Sequence, residues 1–223
     1  MNTVKLTLYL SILIQLITLS FGVYAQSKPY NKKNELLHNI MVIENIVQFV
    51  EFTFYISVYF FIANLLQNDI AKYRYYDWVI TTPLMLLNTM LFFIYSSECK
   101  TLNREKFNSS LWNIMKHEYK NILYFFLSNL GMLCVGYLQE IGSLSLFWST
   151  LLGFGFLDIS FYTLYKYVFS KESEVLFWSM FVLWSLYGFA AMMKNKAKNT
   201  FYNILDVLSK NFYGIFIAYR LLV

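Results

Sequence analysis

Lys210 stands in the final apolar segment of the chain, residues 201–223, one helical turn after Asp206. An amine at membrane depth costs from about 2.5 to more than 10 kcal/mol, so a lysine kept there is expected to serve chemistry. At i, i+4 the two side chains share a helix face, and the carboxylate can hold a nearby cation. An apolar pocket frees a lysine amine to act as a nucleophile, which makes it a natural Schiff-base former. A structural ion pair between packed helices is the competing reading, and this pair alone does not choose between them.

The elements that must position the pair follow from composition. The 223 residues are 58% hydrophobic, 21% aromatic and only 14% charged, with two prolines, whereas a soluble domain carries about a quarter charged residues. Apolar stretches of the length that crosses a bilayer recur at 3–25, 39–66, 73–95, 121–139, 144–168, 174–193 and 199–221. They predict an all-α membrane protein, a single domain over 1–223 built as a seven-transmembrane-helix bundle. Residues 100–120 mix charge with Leu111, Trp112 and Met115, which blurs the boundary between the third and fourth spans. The first span has the outline of a signal peptide: Lys5, an apolar run, then Val23-Tyr24-Ala25. Its run is long for such a peptide, and Thr7, Ser11, Gln15 and Thr18 recur on it at helical spacing, so it is expected to remain as helix 1.

Charge sets the expected orientation. With the N-terminus outside and the C-terminus cytoplasmic, Lys28, Lys32, Lys33, Lys100, Arg104, Lys106, Lys116, Lys120, Lys166, Lys171 and Arg220 face the cytoplasm. Lys5, Lys72, Lys194, Lys196 and Lys198 stay outside, in keeping with the positive-inside rule. The net charge of +5 is therefore a topology signal and a poor argument for nucleic-acid binding. Cys99, in an expected loop, and Cys134, inside a span, suggest no disulfide framework. There is no Gly-rich phosphate loop and no metal-ligand cluster, since His38 and His117 stand apart.

The remaining intramembrane charges narrow the reading. Arg74, Asp77 and Thr81 follow one another at nearly one-turn spacing in the third span, so one lysine, two aspartates and one arginine could balance across spans three and seven. Arg74-Tyr-x-Asp77-Trp78 with Thr81-Thr82-Pro83, Leu183-Trp184-Ser185-x-Tyr187, and Asp206-x-x-x-Lys210 resemble the microbial (type 1) rhodopsins, in order and along the whole chain. The resemblance implies all-trans retinal bound to Lys210 as a protonated Schiff base, with Asp77, Asp206 and Arg74 as the counterion group. It implies a pocket of Trp78, Thr81, Thr82, Trp184 and Tyr187, with Met132 and Gly136 at the ring end by looser matching. Gly188 and Ala191 depart from the family, which often has proline and tryptophan there.

What light would do is set by other residues. Aspartate at 77 argues against a chloride pump, because fixed negative charge already fills the counterion place. An efficient outward proton pump wants an acidic donor three turns beyond Asp77, and the chain has Asn88 there. Lys194-Asn-Lys196-Ala-Lys198-Asn199 replaces the usual acidic release site before span seven, so pumping is weakened and not excluded. Glu44, Gln48, Glu51 and Tyr55 line one face of helix 2, facing the polar stripe of helix 1 and a third at Asn199, Asn203, Asp206 and Lys210. Such stripes are costly in lipid and sensible around water, and carboxylates along a wet path select cations. A hydrogen-bond network gluing helices 1, 2 and 7 is the bland alternative.

Ile43-Glu44 and Glu51-Phe52 resemble the glutamate-rich helix 2 of channelrhodopsins, and Ser11, Glu44 and Asn211 look like their serine–glutamate–asparagine central gate. That resemblance implies that Glu44 bonds toward Ser11 and Asn211 in the dark, with neither Glu44 nor Glu51 touching the chromophore. Tyr55 replaces a third glutamate, and Thr82 stands where algal channels have cysteine. The short chain looks more like the rhodopsins of giant viruses that infect algae. The sequence is thus expected to encode a light-gated cation channel and not an enzyme. Its ion path would be Ser11, Glu44, Gln48, Glu51, Asn88 and Asn211, and no metal is expected. A weak outward proton pump is the runner-up, and a photosensor with a signalling partner is the third reading, disfavoured by the absence of an output domain before Val223. Expected partners are the lipid bilayer of a host-cell or plasma membrane, cations or protons, and further copies of the chain.

Overall fold

In a computed structural model the chain is described over residues 3–29, 34–62, 70–101 and 110–223. Lys32, Lys33, Arg104 and Lys106 lie outside the described residues, as do the end of the second expected span (63–66) and the side chains of Cys99 and Lys100. Nine α-helices appear among the described residues: α1 (Thr3–Gln26), α2 (Glu35–Ser57), α3 (Ile70–Thr101), α4 (Leu111–His117), α5 (Tyr119–Glu140), α6 (Leu146–Tyr165), α7 (Lys171–Ala191), α8 (Asn195–Asp206) and α9 (Phe212–Leu222). A π turn, Val58–Ile62, extends α2, and a second, Val207–Asn211, joins α8 to α9 into one seventh rod. The seven spans are therefore α1, α2, α3, α5, α6, α7 and the α8–α9 rod, and each packs on the next until the rod returns to α1.

Two boundaries differ from the sequence reading. The blurred region holds a short separate helix, α4, started by Ser110, whose side chain accepts from the Asn113 amide at 3.4 Å. Cys99, expected in a loop, lies in the last turn of α3. Local chemistry explains other ends. Ser170 accepts from the Ser173 amide at 3.0 Å to start α7, with Glu172 and Glu174 complementing the helix N-terminus. Gly142, at φ 79°, makes the tight turn from α5 to α6.

Among the described residues five helices are long and apolar enough to cross a membrane by length and composition alone: those in Thr3–Gln26, Glu35–Phe60, Ile70–Ser97, Tyr119–Glu140 and Lys171–Ala191. Large apolar side chains cover the outside of the bundle, Leu13, Phe49, Tyr124, Trp148 and Phe212 among them. The polar residues of α1 point the other way: Ser11, Gln15 and Thr18 are buried against the rod, so the first span is an integral wall of the bundle. Asp158 lies exposed in α6 among the outward-facing residues.

Candidate functional site

Lys210 sits inside the π turn of the seventh rod, and its side chain is almost fully buried. A π turn widens the helix by one residue and often marks a functional position. Three carboxylates face the amine. Nζ donates to Asp77 Oδ2 at 2.5 Å, lies 3.7 Å from Asp206 Oδ1 and 4.0 Å from Glu51 Oε1. The third of these corrects an expectation: Glu51 belongs to the surroundings of the amine, because the α2 face carries it directly against the π turn.

The two aspartates are held differently. Asp206 is wrapped by donors: Oδ2 accepts from Tyr55 at 2.7 Å and Arg74 Nη1 at 3.1 Å, and Oδ1 from Tyr187 at 2.7 Å and Trp78 Nε1 at 3.3 Å. Arg74 donates further to the Asn203 side-chain oxygen, and Asn203 donates to Thr7 at 2.9 Å. Among the described residues the Asp77 carboxylate has only the amine as a hydrogen-bond donor, its Oδ1 being buried without a partner. Asp206 is thus a fixed anchor, while the charge of Asp77 is committed to Lys210. Tyr55, which the sequence places on the polar face of helix 2 where channelrhodopsins have a third glutamate, is a ligand of Asp206, and the one-face spacing of α2 is the signal that points to it.

From the amine a largely apolar slot runs between α3, α5, α6 and α7. Trp78, Thr82, Met132, Gly136, Trp184 and Tyr187 line it, as the motifs implied. Thr81 does not: it is buried one turn beyond Asp77, and its hydroxyl donates to the Asp77 carbonyl at 3.0 Å. Sequence reasoning missed Tyr202, Phe154 and Ser209, which no motif carried, and gave no role to Tyr75, which stands inside the Arg74–Trp78 motif. Gly188 lines the slot where a Cβ would come 2.8 Å from the Phe154 ring, so the glycine leaves room for that aromatic. A buried lysine amine at the end of an elongated, aromatic-walled slot fits a conjugated aldehyde such as retinal, and the carboxylates around it fit the positive nitrogen of the resulting imine. Asp77 Oδ1, orphaned beside that amine, fits a site built to face a positive nitrogen.

The polar stripes meet, although not as a Ser11–Glu44–Asn211 gate. Ser11 donates to the Asn203 backbone carbonyl at 3.2 Å, on the Arg74 side of the amine. Glu44 lies on the other side, accepting from Gln48 at 2.8 Å and Asn88 at 3.0 Å. Asn211 donates to Gln48 at 2.6 Å and to Glu51 at 3.2 Å. The separation is geometric, because the Ser11 turn of α1 meets the rod beside Asn203 while Glu44 meets it beside Gly214, beyond Lys210. Together these contacts form a buried polar column from Asn88 through Glu44, Gln48, Asn211, Glu51, Lys210, Asp206 and Arg74 to Asn203 and Thr7. Among the described residues, both amide atoms of Gln15, Glu51 Oε1, Asn88 Oδ1 and Asn211 Oδ1 are buried without hydrogen-bond partners, which suits a path that holds water.

Beyond Asn88 the column stops. One turn along α3, Phe92 is fully buried and packs edge-on against Phe216 with ring centres 5.1 Å apart, beside buried Ile40, Met41 and Ile217. One turn further, Ser96 donates to Glu172 at 3.3 Å and pairs with Ser170 at 2.9 Å, and Arg220 meets Glu172 at 3.2 Å. At the opposite end, Lys198 donates to both oxygens of Glu140 at 2.8 and 3.0 Å in a buried pair joining α8 to α5. No group of three or more histidine, cysteine or acidic side chains able to hold a metal occurs among the described residues.

The chain matches the model of the bacteriorhodopsin-like protein family over residues 2–222. None of the curated protein sequences matches it. Among solved structures it resembles the viral rhodopsin OLPVRII, at 28% identity and a TM-score of 0.85, with 99% of each chain covered. It also resembles a blue light-absorbing proteorhodopsin from Med12, at 19% identity and a TM-score of 0.72, covering 98% of this chain and 96% of that one. A third is rhodopsin I of Acetabularia, at 15% identity and a TM-score of 0.74, with 98% and 94% covered. The last two likenesses speak for the fold alone.

Proposed function

Because the chain belongs to the bacteriorhodopsin-like family of microbial rhodopsins, membrane proteins that carry a retinal chromophore, we propose that it is a light-gated cation channel with all-trans retinal held by Lys210. The chromophore supplies light absorption and a change of shape at the Lys210 end of the slot. Trp78 and Trp184 hold the polyene, and Asp77 balances the positive nitrogen, with Asp206 fixed behind it by Arg74, Tyr55 and Tyr187.

The observation that carries the channel reading is the buried column, whose Glu44 and Glu51 give it the negative lining that attracts cations. In the dark it is closed where Phe92 and Phe216 meet, an apolar layer that water does not wet. The N-terminus lies outside and the Arg220 end faces the cytoplasm. A pump would need to pass a proton inward of Glu44, and Asn88, an amide with no proton to give, occupies that place. Copies of the chain pack through the α6 face that carries Asp158, since a carboxylate at that depth is costly in lipid.

The test is whole-cell photocurrent over a range of voltages and external cations, in the wild type and in Glu44→Gln and Glu51→Gln. A channel gives currents that reverse near the cation equilibrium potential, altered in both variants. Currents outward at every voltage assign a pump, and absent currents assign a sensor.

A further inference from the structure

The rod residue that binds the chromophore and the carboxylate that faces the apolar layer do not touch. One side chain joins them. Gln48 Nε2 spends one hydrogen on Glu44 Oε1 at 2.8 Å and the other on the backbone carbonyl of Lys210 at 3.0 Å, while its Oε1 accepts from Asn211 at 2.6 Å. Both amide hydrogens and one oxygen lone pair are used, and the residue is fully buried. The carbonyl it captures lies in the π turn, where the widened helix loosens the regular i to i−4 ladder. Gly214, one turn along the rod, is shaped to this arrangement. A Cβ there would come 2.8 Å from Gln48 Nε2 and 3.1 Å from Glu44 Oε1.

We propose that Gln48 is the positioning residue that carries movement of the Lys210–Asn211 turn to Glu44, and so to the closure of the column. Lys210 and Asn211 present two separate hydrogen-bond partners to one amide, so a shift of the turn must either drag Gln48 or break its bonds. A dragged Gln48 takes a donor away from Glu44 inside a buried site and leaves it with Asn88. An unpaired buried carboxyl oxygen is unfavourable enough to recruit water or to re-aim the side chain. Gln48 touches neither the slot nor the amine, so its role is transmission and not chromophore binding.

The proposal rests on Lys210 as the attachment residue and deepens the channel reading, and it can be tested apart from transport. In light-minus-dark infrared spectra, the Glu44 carboxyl signal is the band that disappears in Glu44→Gln. Gln48→Met keeps the side-chain length and removes the amide. It should form the visible band as the wild type does, lose the Glu44 signal, and reduce photocurrent by about tenfold, the scale of one lost net hydrogen bond. Gly214→Ala, which crowds the amide, should weaken the same signal and serves as the readout if Gln48→Met does not assemble. A Glu44 signal of wild-type size in the assembled variant overturns the proposal, and so does a wild type that shows no Glu44 signal on illumination. If wild-type currents fail to reverse while the signal still depends on Gln48, the coupling stands and the channel reading falls.

Discussion

The three carboxylates around Lys210 are not equivalent, and their distances rank them. With an effective dielectric constant of about 20, charges at 2.5, 3.7 and 4.0 Å from the amine contribute about 7, 4.5 and 4 kcal/mol for Asp77, Asp206 and Glu51. Asp206 shares its charge with Arg74 at 3.1 Å and with three further donors, so its field at the amine is weaker than its distance suggests. Among the described residues Glu51 has only the Asn211 amide besides the amine, and it keeps most of its influence. A negative charge at the nitrogen end of the chromophore holds the positive charge there and widens the excitation gap. Asp77→Asn should therefore shift the visible band furthest to longer wavelength, with Glu51→Gln following in the same direction by roughly half as much or more, in line with the ratio of Coulomb terms. Asp206→Asn should shift it less than its distance implies and cost the most stability, because Arg74 loses its buried counter-charge and the donors on one of the two carboxyl oxygens face an NH2 group instead. The assay is the absorption maximum and thermal midpoint of each variant in the same nanodisc at one pH. A Glu51→Gln band at the wild-type position would show that the third carboxylate does not act on the chromophore, and a larger shift than that of Asp77→Asn would refute the ranking.

Three further outcomes are expected. Lys210→Ala should form no visible band after incubation with all-trans retinal, and a retained band would overturn the whole pocket. Phe92→Ala opens the fully buried apolar layer; it should cost about 3–5 kcal/mol and lower the melting temperature. It should also raise dark conductance, and an unchanged dark conductance would place the barrier elsewhere. Outside the spans, burial pushes the Glu118 carboxyl up, but hydrogen bonds from Tyr167, Asn121 and His117 outweigh this and hold it below the ordinary range. A lowered folded value gives stability that is present above the unfolded value and is lost as pH falls through the folded one. Tyr167→Phe should therefore melt earlier than the wild type at neutral pH, with the gap closing below about pH 4.3; a gap independent of pH would refute the assignment.

The bundle was legible because membrane constraints are strong: a span must satisfy its own backbone and expose apolar side chains, which writes a length and a composition into the sequence. Lys210, Asp206, Asp77 and Arg74 were legible for a related reason, since charges at that depth must meet one another, and they do. Two classes of feature were not legible. The slot wall drawn from α5 and α6, such as Phe154, consists of ordinary core residues whose facing depends on helix rotation. Contacts between stripes depend on the axial offset of neighbouring helices, which periodicity does not give. Ser11 was placed on the correct face and at the wrong height, and it meets Asn203 where Glu44 was expected. Glu51 was placed on the ion path and also faces the amine, because the same offset brings that turn of α2 level with Lys210.

Asn88 shows how one position separates the two leading readings. Read as a proton donor, an amide is only a deficiency. In the structure it has a positive role: its Nδ2 donates to Glu44 Oε2 at 3.0 Å, opposite the Gln48 bond to Oε1, so two amides hold the two carboxyl oxygens of Glu44. A carboxyl held in this way is well placed to be a closed latch and poorly placed to be a stage in a proton relay, since the two amides that hold it can neither supply nor accept a net proton. Asn88→Asp separates the cases. In a pump it supplies the missing acid and should strengthen outward current. In a channel it sets a second carboxyl 3.0 Å from Glu44 in place of a hydrogen-bond donor, so it should loosen the latch and raise dark leak. Stronger outward current with a tight dark state would refute the latch.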